Sequence, residues 1–141
     1  MKVLMFVLFL VASAFGWMAF SGTHFSAIGK EPTPALPMVS AAPVPLYPPL
    51  ARSVNAQGVI HVKVETDGHK VVQAHAEETN KLLNTAAEEN AKNWEFSKHT
   101  PATFTITYRY RLADECDSNN PTVTLRLPTE VEVCQHTFRL D

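Results

Sequence analysis

The sequence predicts an α+β domain in which an amphipathic helix packs on an antiparallel sheet. Between residues 79 and 96, apolar side chains recur at helical spacing, whereas the segments on both sides alternate apolar and polar residues with period two. A helix with one apolar stripe must bury it, and the strands beside it supply the surface. With 141 residues, 45% of them hydrophobic, the chain has material for one small core.

Composition and motifs exclude several classes of function. The formal net charge is −2 and the pI is near 6.3, so the surface lacks the positive charge that a nucleic-acid partner requires. No nucleophile elbow, phosphate-binding loop or metal-ligand spacing occurs in the sequence. We therefore expect a protein that is not an enzyme and that binds no cofactor or metal.

The N-terminal residues 1–22 predict export from the cytoplasm. Lys2 precedes an apolar run from Val3 to Phe20, which is long enough to be an uncleaved membrane anchor. Ala12-Ser13-Ala14 also fits the cleavage site of a signal peptide. Both alternatives stay open, and both place the rest of the chain outside the cytoplasm.

Residues 23–43 are rich in Ser, Ala, Thr and Pro and lack periodicity, which predicts an extended, unfolded linker. The folded domain is then expected to span residues 44–141. Its first element is a short helix that begins at Pro48 or Pro49, because proline suits the first helical position, and ends before Gly58. Leu50 and Val54, four residues apart, are expected to face the sheet.

A β-hairpin follows. Gly58 opens a strand that runs to Thr66, and Asp67-Gly68 is a strong turn signal before the returning strand Val71–Glu77. We favour a three-residue loop, Asp67 to His69, over a two-residue turn, because only the longer loop directs apolar residues of the returning strand inward. The residues then expected on the core face are Ile60, Val62, Val64, Val72, Ala74 and Ala76.

This register pairs Val62 with Ala74 and places His61 opposite His75 on the solvent face. Two facing histidines can hold a metal or respond to mild acidification. No carboxylate or cysteine completes a ligand set at recognisable spacing. Two exposed strand histidines are therefore the preferred interpretation.

The central helix is expected from Thr79 to Phe96, with Thr79 or Asn80 as its N-cap. Alanines in the middle of its apolar stripe permit close approach to the sheet, and Trp94 and Phe96 are expected in the core. Glu88 and Glu89 point in different directions and are interpreted as solvated rather than catalytic. The residues of the stripe are Leu82, Leu83, Ala86, Ala87, Asn90, Ala91 and Trp94.

After the helix, the segment Thr103–Leu112 alternates for ten residues and is the strongest strand signal in the chain. Two further strands are expected at Thr122–Leu127 and Glu130–Cys134, separated by Pro128. The inward residues of the long strand are Phe104, Ile106, Tyr108, Tyr110 and Leu112, and the outward residues are Thr105, Thr107, Arg109 and Arg111.

Two cysteines, Cys116 and Cys134, lie on the exported side of the chain. In an oxidising compartment an even pair predicts a disulfide, which stabilises a loop of this size by roughly 3 kcal/mol. Unpaired strand cysteines are the alternative.

The order of these elements, together with the turn and boundary residues between them, resembles that of the C-terminal domain of the TonB family. The resemblance covers Val44 to Leu112 and ends in the long alternating strand. The matching residues are Tyr47-Pro48 with Ala51, Gln57-Gly58-Val59, Asp67-Gly68 and Trp94-x-Phe96.

The resemblance implies a three-stranded antiparallel sheet with both helices on one face and a right-handed crossover that skips one strand. TonB proteins are anchored in the inner membrane and transmit energy from a proton-driven motor complex to outer-membrane receptors. In this family an extended receptor segment pairs with the edge of the last strand. By this resemblance the chain is periplasmic, and Thr105, Thr107, Arg109 and Arg111 lie on the receptor-binding edge.

The two strands between Thr122 and Cys134 have no counterpart in that pattern. If they form a meander with Thr103–Leu112, they cover its edge, and the binding edge moves to the new outer strand or is lost. Three functions are therefore considered. The leading one is an exported TonB-like module that binds an extended protein segment; the others are a full energy transducer and a structural or adaptor envelope protein that self-associates as a homodimer.

Overall fold

The computed structural model describes residues 35–137, which belong to a compact unit formed by Pro34–Asp141. The expected signal peptide or anchor and most of the expected linker lie outside the described residues. Within residues 35–137, neither helix has the length and hydrophobicity needed to cross a membrane.

The described chain is an α+β domain, as the sequence predicts. The elements are β1 Val39–Ala41, α1 Pro49–Ser53, β2 Gly58–Thr66, β3 Val71–His75, α2 Lys81–Lys92, β4 Glu95–Phe96, β5 Thr103–Leu112, β6 Thr122–Arg126 and β7 Glu130–Gln135. A five-stranded sheet has the order β3-β2-β5-β7-β6, and a second sheet pairs β1 with β4.

The sheet is antiparallel except where β5 meets β7. Strands β3 and β5 flank β2, so the connection through α2 skips one strand, as expected. Strand β7 then pairs with β5 in parallel, because β6 takes the chain back along the sheet before β7 begins. The meander considered from the sequence does not form: β7, not β6, lies beside β5, and β6 is the outer strand. Both helices contribute to one core on one side of the sheet.

Helix α2 begins as expected but ends four residues early. The Asn80 side chain accepts a hydrogen bond from the Leu83 N–H at 3.2 Å, which identifies it as the N-cap. Leu83 and Ala87 are fully buried on its inner face. Beyond Lys92 the chain becomes extended, because Phe96 pairs with β1 and packs edge-on against Phe104.

Part of the expected linker is folded against the domain. We call residues 35–48 the strap. Within it, Val39 pairs with Phe96 through β1 and β4, and Pro45 and Tyr47 are buried. The Asn90 side chain donates to the Pro43 carbonyl at 2.9 Å. The folded unit therefore starts before residue 44, because apolar side chains of the strap complete the core.

Helix α1 begins after Pro48, its N-cap, as expected, but faces the opposite way. Leu50 and Val54 are exposed, whereas Ala51 is fully buried. The aromatic ring of Tyr47 occupies the adjacent core position, edge-on to Tyr110 at 5.4 Å between ring centroids. A small inward residue on this five-residue helix leaves room for that ring.

The hairpin register differs from the prediction by two residues. Val64, not Val62, pairs with Ala74, and Lys63 pairs with His75. The loop has four residues, Asp67 to Lys70, and the pairing shifts next to Thr66. Because of that shift, Val71 packs against the core and Val72 is exposed, while Ala74 and Ala76 are buried as expected.

The hairpin loop is held against the turn that precedes β5. The Asp67 carboxylate accepts the main-chain N–H groups of His69 and Lys70, both at 2.8 Å. These bonds lower the pKa of Asp67, with the bond from Lys70 the larger cause. Gly68 has φ +103°, and its carbonyl accepts the His99 N–H at 2.9 Å. The Asp67-Gly68 signal therefore specifies both the turn and its contact with the 96–99 segment.

Candidate partner-binding edge

The predicted receptor-binding strand is not at the edge of the sheet. Strand β7 pairs with β5 from Thr107 to Leu112, so Thr107, Arg109 and Arg111 lie in the interior of the sheet ladder. Arg111 contacts Glu115 at 2.6 Å and Glu132 at 3.4 Å. Of the four residues assigned to the edge, only Thr105 lies beyond the start of β7. Three of the four assigned residues therefore do not lie at an edge of the sheet.

Hydrogen bonds at the two ends of β7 show which main-chain groups face each neighbour. The Thr107 N–H donates to the Thr129 carbonyl at 2.7 Å, and the Ala113 N–H donates to the Gln135 carbonyl at 3.0 Å. Odd-numbered residues of both strands therefore face each other, and the even-numbered residues of β7 face β6. In the β6 ladder these pair with Thr122, Thr124 and Arg126. The N–H and C=O groups of Val123 and Leu125 consequently point away from the sheet.

Strand β6 is an edge strand that lacks the features which usually prevent pairing with another chain. It has five residues, no internal proline, and an uninterrupted register with β7. Its charged side chain is Arg126, at its end, where it pairs with Glu130 at 3.3 Å. Edge strands that avoid pairing with other chains carry bulges, prolines or central charges. Strand β6 can therefore pair with an added strand through Val123 and Leu125.

At the opposite edge of the sheet, side chains of α2 bind main-chain groups of the segment that follows β3. The Ala76 N–H donates to Glu88 Oε1 at 2.7 Å. Asn84 Nδ2 donates to the carbonyls of Ala76 at 3.5 Å and Glu78 at 2.8 Å. These bonds occupy main-chain groups just beyond the C-terminal end of β3, and the register shift next to Thr66 interrupts the ladder near its N-terminal end.

Apolar grooves lie at both ends of β6. Next to Pro121, a groove of about 540 Å³ contains the exposed side chains of Val44 and Leu46. Next to Pro128, a groove of about 310 Å³ is lined by Leu36, Pro37, Met38, Val39, Leu127 and Pro128. Exposed apolar side chains therefore flank the open edge.

The two histidines singled out in the sequence are not cross-strand partners. His61 pairs with Thr107 and its ring contacts Glu78 at 2.8 Å; the His75 ring contacts Glu77 at 3.3 Å and Glu88 at 3.4 Å. Burial acts to raise the pKa of Glu78, but hydrogen bonds from the His61 main chain and ring outweigh it and lower this pKa. Among residues 35–137, no group of three or more His, Cys, Asp or Glu side chains is placed to hold a metal ion.

The predicted disulfide is confirmed. Cys116 and Cys134 are bonded, with 5.9 Å between their Cα atoms. The bond ties the loop after β5 to the end of β7, where Gln135 Nε2 also donates to the Asp117 carbonyl at 3.1 Å. It therefore supports the pairing of β7 with β5, which leaves β6 as the outer strand.

Comparisons with protein-family models, with curated proteins and with solved structures each find no match for this chain.

Proposed function

We propose that this chain is a protein-binding module that accepts an extended segment of a partner protein along the free edge of β6. The observation that carries the proposal is the outward direction of the N–H and C=O groups of Val123 and Leu125. Strand addition uses main-chain hydrogen bonds for affinity and alternate side-chain contacts for specificity. No catalytic group takes part in this function.

The surroundings of β6 indicate the character of the partner segment. Val123 and Leu125 lie on the helix side of the sheet, since they pair with the buried residues Val133 and Val131. An added strand directs every second side chain to that side, toward the grooves that contain Leu46 and Leu127. The partner segment therefore carries apolar side chains at alternate positions.

The resemblance to TonB C-terminal domains refines this proposal. In that interpretation the chain is exported to the periplasm, and the partner is a segment of an outer-membrane receptor in TonB-dependent transport. The added β6-β7 hairpin moves the receiving edge from β5 to β6, so the main-chain recognition is retained at a new strand. Coupling to a proton-driven motor complex is a further part of this proposal and requires the N-terminal segment to remain as an anchor.

The test is a residue-resolved NMR titration of the full-length chain with peptides taken from periplasm-facing termini of outer-membrane receptors. We expect the largest amide shifts at Val123 and Leu125. Leu125→Pro removes one outward N–H while leaving the bonds to β7, so it should weaken binding by tenfold or more, an estimate of about 1.4 kcal/mol for one lost bond. Leu125→Ala is the matched control, because it shortens the same side chain and keeps the N–H.

Two results would contradict the proposal. One is equal loss of affinity in Leu125→Pro and Leu125→Ala, which would assign binding to the side chain alone. The other is a set of shifts that avoids β6 altogether. Concentration-dependent shifts at β6 without peptide would instead support a self-associating envelope protein.

A further inference from the structure

We propose that the β6 edge selects partner segments that carry two large apolar side chains six residues apart, both on the side of the added strand that faces the helices. The inference rests on the proposed function, strand addition along β6, and specifies the class of segment that this site accepts. Three observations support it: an apolar groove at each end of β6, the spacing of the two grooves along the strand, and the strand residues between the grooves, which line neither of them.

Each groove is formed by the strap together with a residue that flanks β6. In the first, which we call the Pro121 groove, Pro121 lies with Val44 and Leu46 of the strap. The second, the Pro128 groove, is lined by Leu36, Pro37, Met38, Val39, Leu127 and Pro128. The large strap side chains in the two grooves are between 51% and 74% exposed, so a partner can cover much apolar surface there.

The lining of the grooves determines the kind of side chain that they hold. All six residues of the Pro128 groove are apolar. The polar residues Glu89, Asn90 and Asn93 of the Pro121 groove come from α2 and its C-cap, whereas the strap and Pro121 contribute its apolar lining. A charged anchor would lose hydration in the Pro128 groove without gaining a partner among its lining residues. Both grooves therefore favour an aliphatic or aromatic side chain.

The spacing of the anchors follows from the length of β6. Pro121 and Leu127 flank the strand and are six residues apart in the sequence. At about 3.3 Å per residue, this separation is about 20 Å. An added strand has the same rise, and its side chains on one face recur at every second residue. The side chains that reach the two grooves are therefore also six residues apart, whichever direction the added strand takes.

The two positions between the anchors contribute less to binding. They lie opposite Val123 and Leu125, which line neither groove. The middle of the strap, residues 40–42, consists of Ser and Ala and also lines neither groove. A large side chain at a middle position would therefore bury less apolar surface than one at an end, and a small side chain suffices there.

The experiment uses the full-length chain and two nine-residue peptides with the same composition. Both have Thr at odd positions and Ala at even positions, except that Leu replaces Ala at positions 2 and 8 in one peptide and at positions 2 and 6 in the other. The first pattern reads the same in both strand directions. We expect this peptide to bind about tenfold more tightly than its isomer, because the isomer can place only one leucine in a groove in any register.

Variants of the strap test whether the grooves cause this preference. Leu46→Asp places a charge in the Pro121 groove, and Met38→Asp does so in the Pro128 groove. Each should reduce the ratio of the two affinities to about one. Leu50→Asp is the matched control, because Leu50 is an exposed leucine that lines neither groove, and the preference should remain tenfold.

Equal affinities of the two peptides for the wild-type chain would overturn the inference, while amide shifts at Val123 and Leu125 in both complexes would still support strand addition. A tenfold preference that survives both Leu46→Asp and Met38→Asp would overturn it as well, because the grooves would then not hold the anchors. If neither peptide shifts the β6 amides, the inference and the function on which it rests both fail.

Discussion

The Tyr108 hydroxyl donates a hydrogen bond to Asn90 Oδ1 at 2.8 Å, and the same oxygen accepts the Trp94 indole N–H at 3.0 Å. The amide nitrogen of Asn90 donates to the Pro43 carbonyl in the strap. One side chain of α2 thus joins the helix, the central strand β5 and the strap. Both donors belong to buried rings, so their polar atoms depend on this one acceptor.

Asn90→Ala should lower the free energy of unfolding by about 2 to 4 kcal/mol, because it leaves two buried donors without an acceptor. The measurement is urea unfolding followed by Trp94 fluorescence. Asn93→Ala is the control: the exposed Asn93 side chain donates one hydrogen bond, to the Glu89 carbonyl at 2.7 Å, so its loss should cost less than about 1 kcal/mol. Similar losses in both variants would show that Asn90 does not hold the core.

The buried tyrosines of β5 should respond oppositely to removal of their hydroxyls. Tyr108→Phe breaks the bond to Asn90 and should destabilise the protein by about 1 kcal/mol. The Tyr110 hydroxyl is buried and has no hydrogen-bond partner within residues 35–137. Tyr110→Phe should therefore be neutral or stabilising by up to about 1 kcal/mol. Thermal unfolding of the two variants side by side checks the sign, and a destabilised Tyr110→Phe would refute the assignment.

Stability should fall at alkaline pH. Burial raises the pKa of all three tyrosines of the chain, and that of Tyr47 rises from 10.0 to about 12. Between these values the unfolded chain has lost the phenol proton and the folded chain keeps it, so the folded state binds more protons. The free energy of unfolding then decreases with pH, by up to about 1.4 kcal/mol per pH unit for each tyrosine.

Urea midpoints measured between neutral pH and about pH 11 check this slope. Tyr110→Phe removes one titrating phenol, so the slope should fall by the contribution of one tyrosine, up to about 1.4 kcal/mol per pH unit. A midpoint that stays constant above pH 10 would contradict the burial of these phenols.

Gly68→Ala should cost about 3 kcal/mol or more of stability. A Cβ at this position would lie 2.4 Å from the His99 carbonyl oxygen, and φ is +103°. The clash involves main chain, so a side-chain movement cannot relieve it. Lys70→Ala in the same loop removes only a surface ion pair with Glu95 and should cost less than about 1 kcal/mol. Equal chemical-denaturation midpoints for Gly68→Ala and wild type would disprove the contact.

Replacing both cysteines with serine should lower the free energy of unfolding by about 3 kcal/mol. The loss of stability should be largest around the position where Cys116 is joined to the end of β7. Hydrogen exchange should therefore increase first in β6 and β7 and least in β2. Denatured, unreduced protein should show no free thiol, and two thiols per chain would contradict the bond.

The parts of the fold that the sequence predicts well are those with long, clean periodicity. Strands β2 and β5 have the expected inward faces, and Asn80 caps α2 as expected, because local alternation and capping determine these features. The hairpin register was wrong by two residues, because the loop is one residue longer than expected and a one-residue irregularity next to Thr66 adds the second residue. Periodicity alone carries no signal for such a shift.

The candidate edge was harder to predict because it depends on pairing between distant segments. Alternation identified β6 and β7 as strands, but nothing local specifies that β7 inserts in parallel between β5 and β6. The contribution of Asn90 was also hard to predict. Helical spacing placed it on the inner stripe, but two of its three hydrogen bonds are to the strap and to β5, which lie far from it in the sequence. The prolines of the strap led us to expect an unfolded linker. Their fixed φ suits an extended backbone, and an extended backbone occurs in a segment packed on a core as well as in a linker.

The attachment of the strap determines how the domain would respond to mechanical force. A pull on the chain from the N-terminal side of residue 35 acts first on buried Pro37, on the Met38 carbonyl, which accepts the Ser97 N–H at 2.9 Å, and on β1, which pairs with the two residues of β4. The next attachments are Ala42, which packs against the core, and the bond from Asn90 to Pro43, and the load then reaches Pro45 and Tyr47 in the core. Under tension the strap would detach from β4, α2 and the core and become extended, while β6 remains paired with β7. The strap would thus detach before the β6 edge is disturbed.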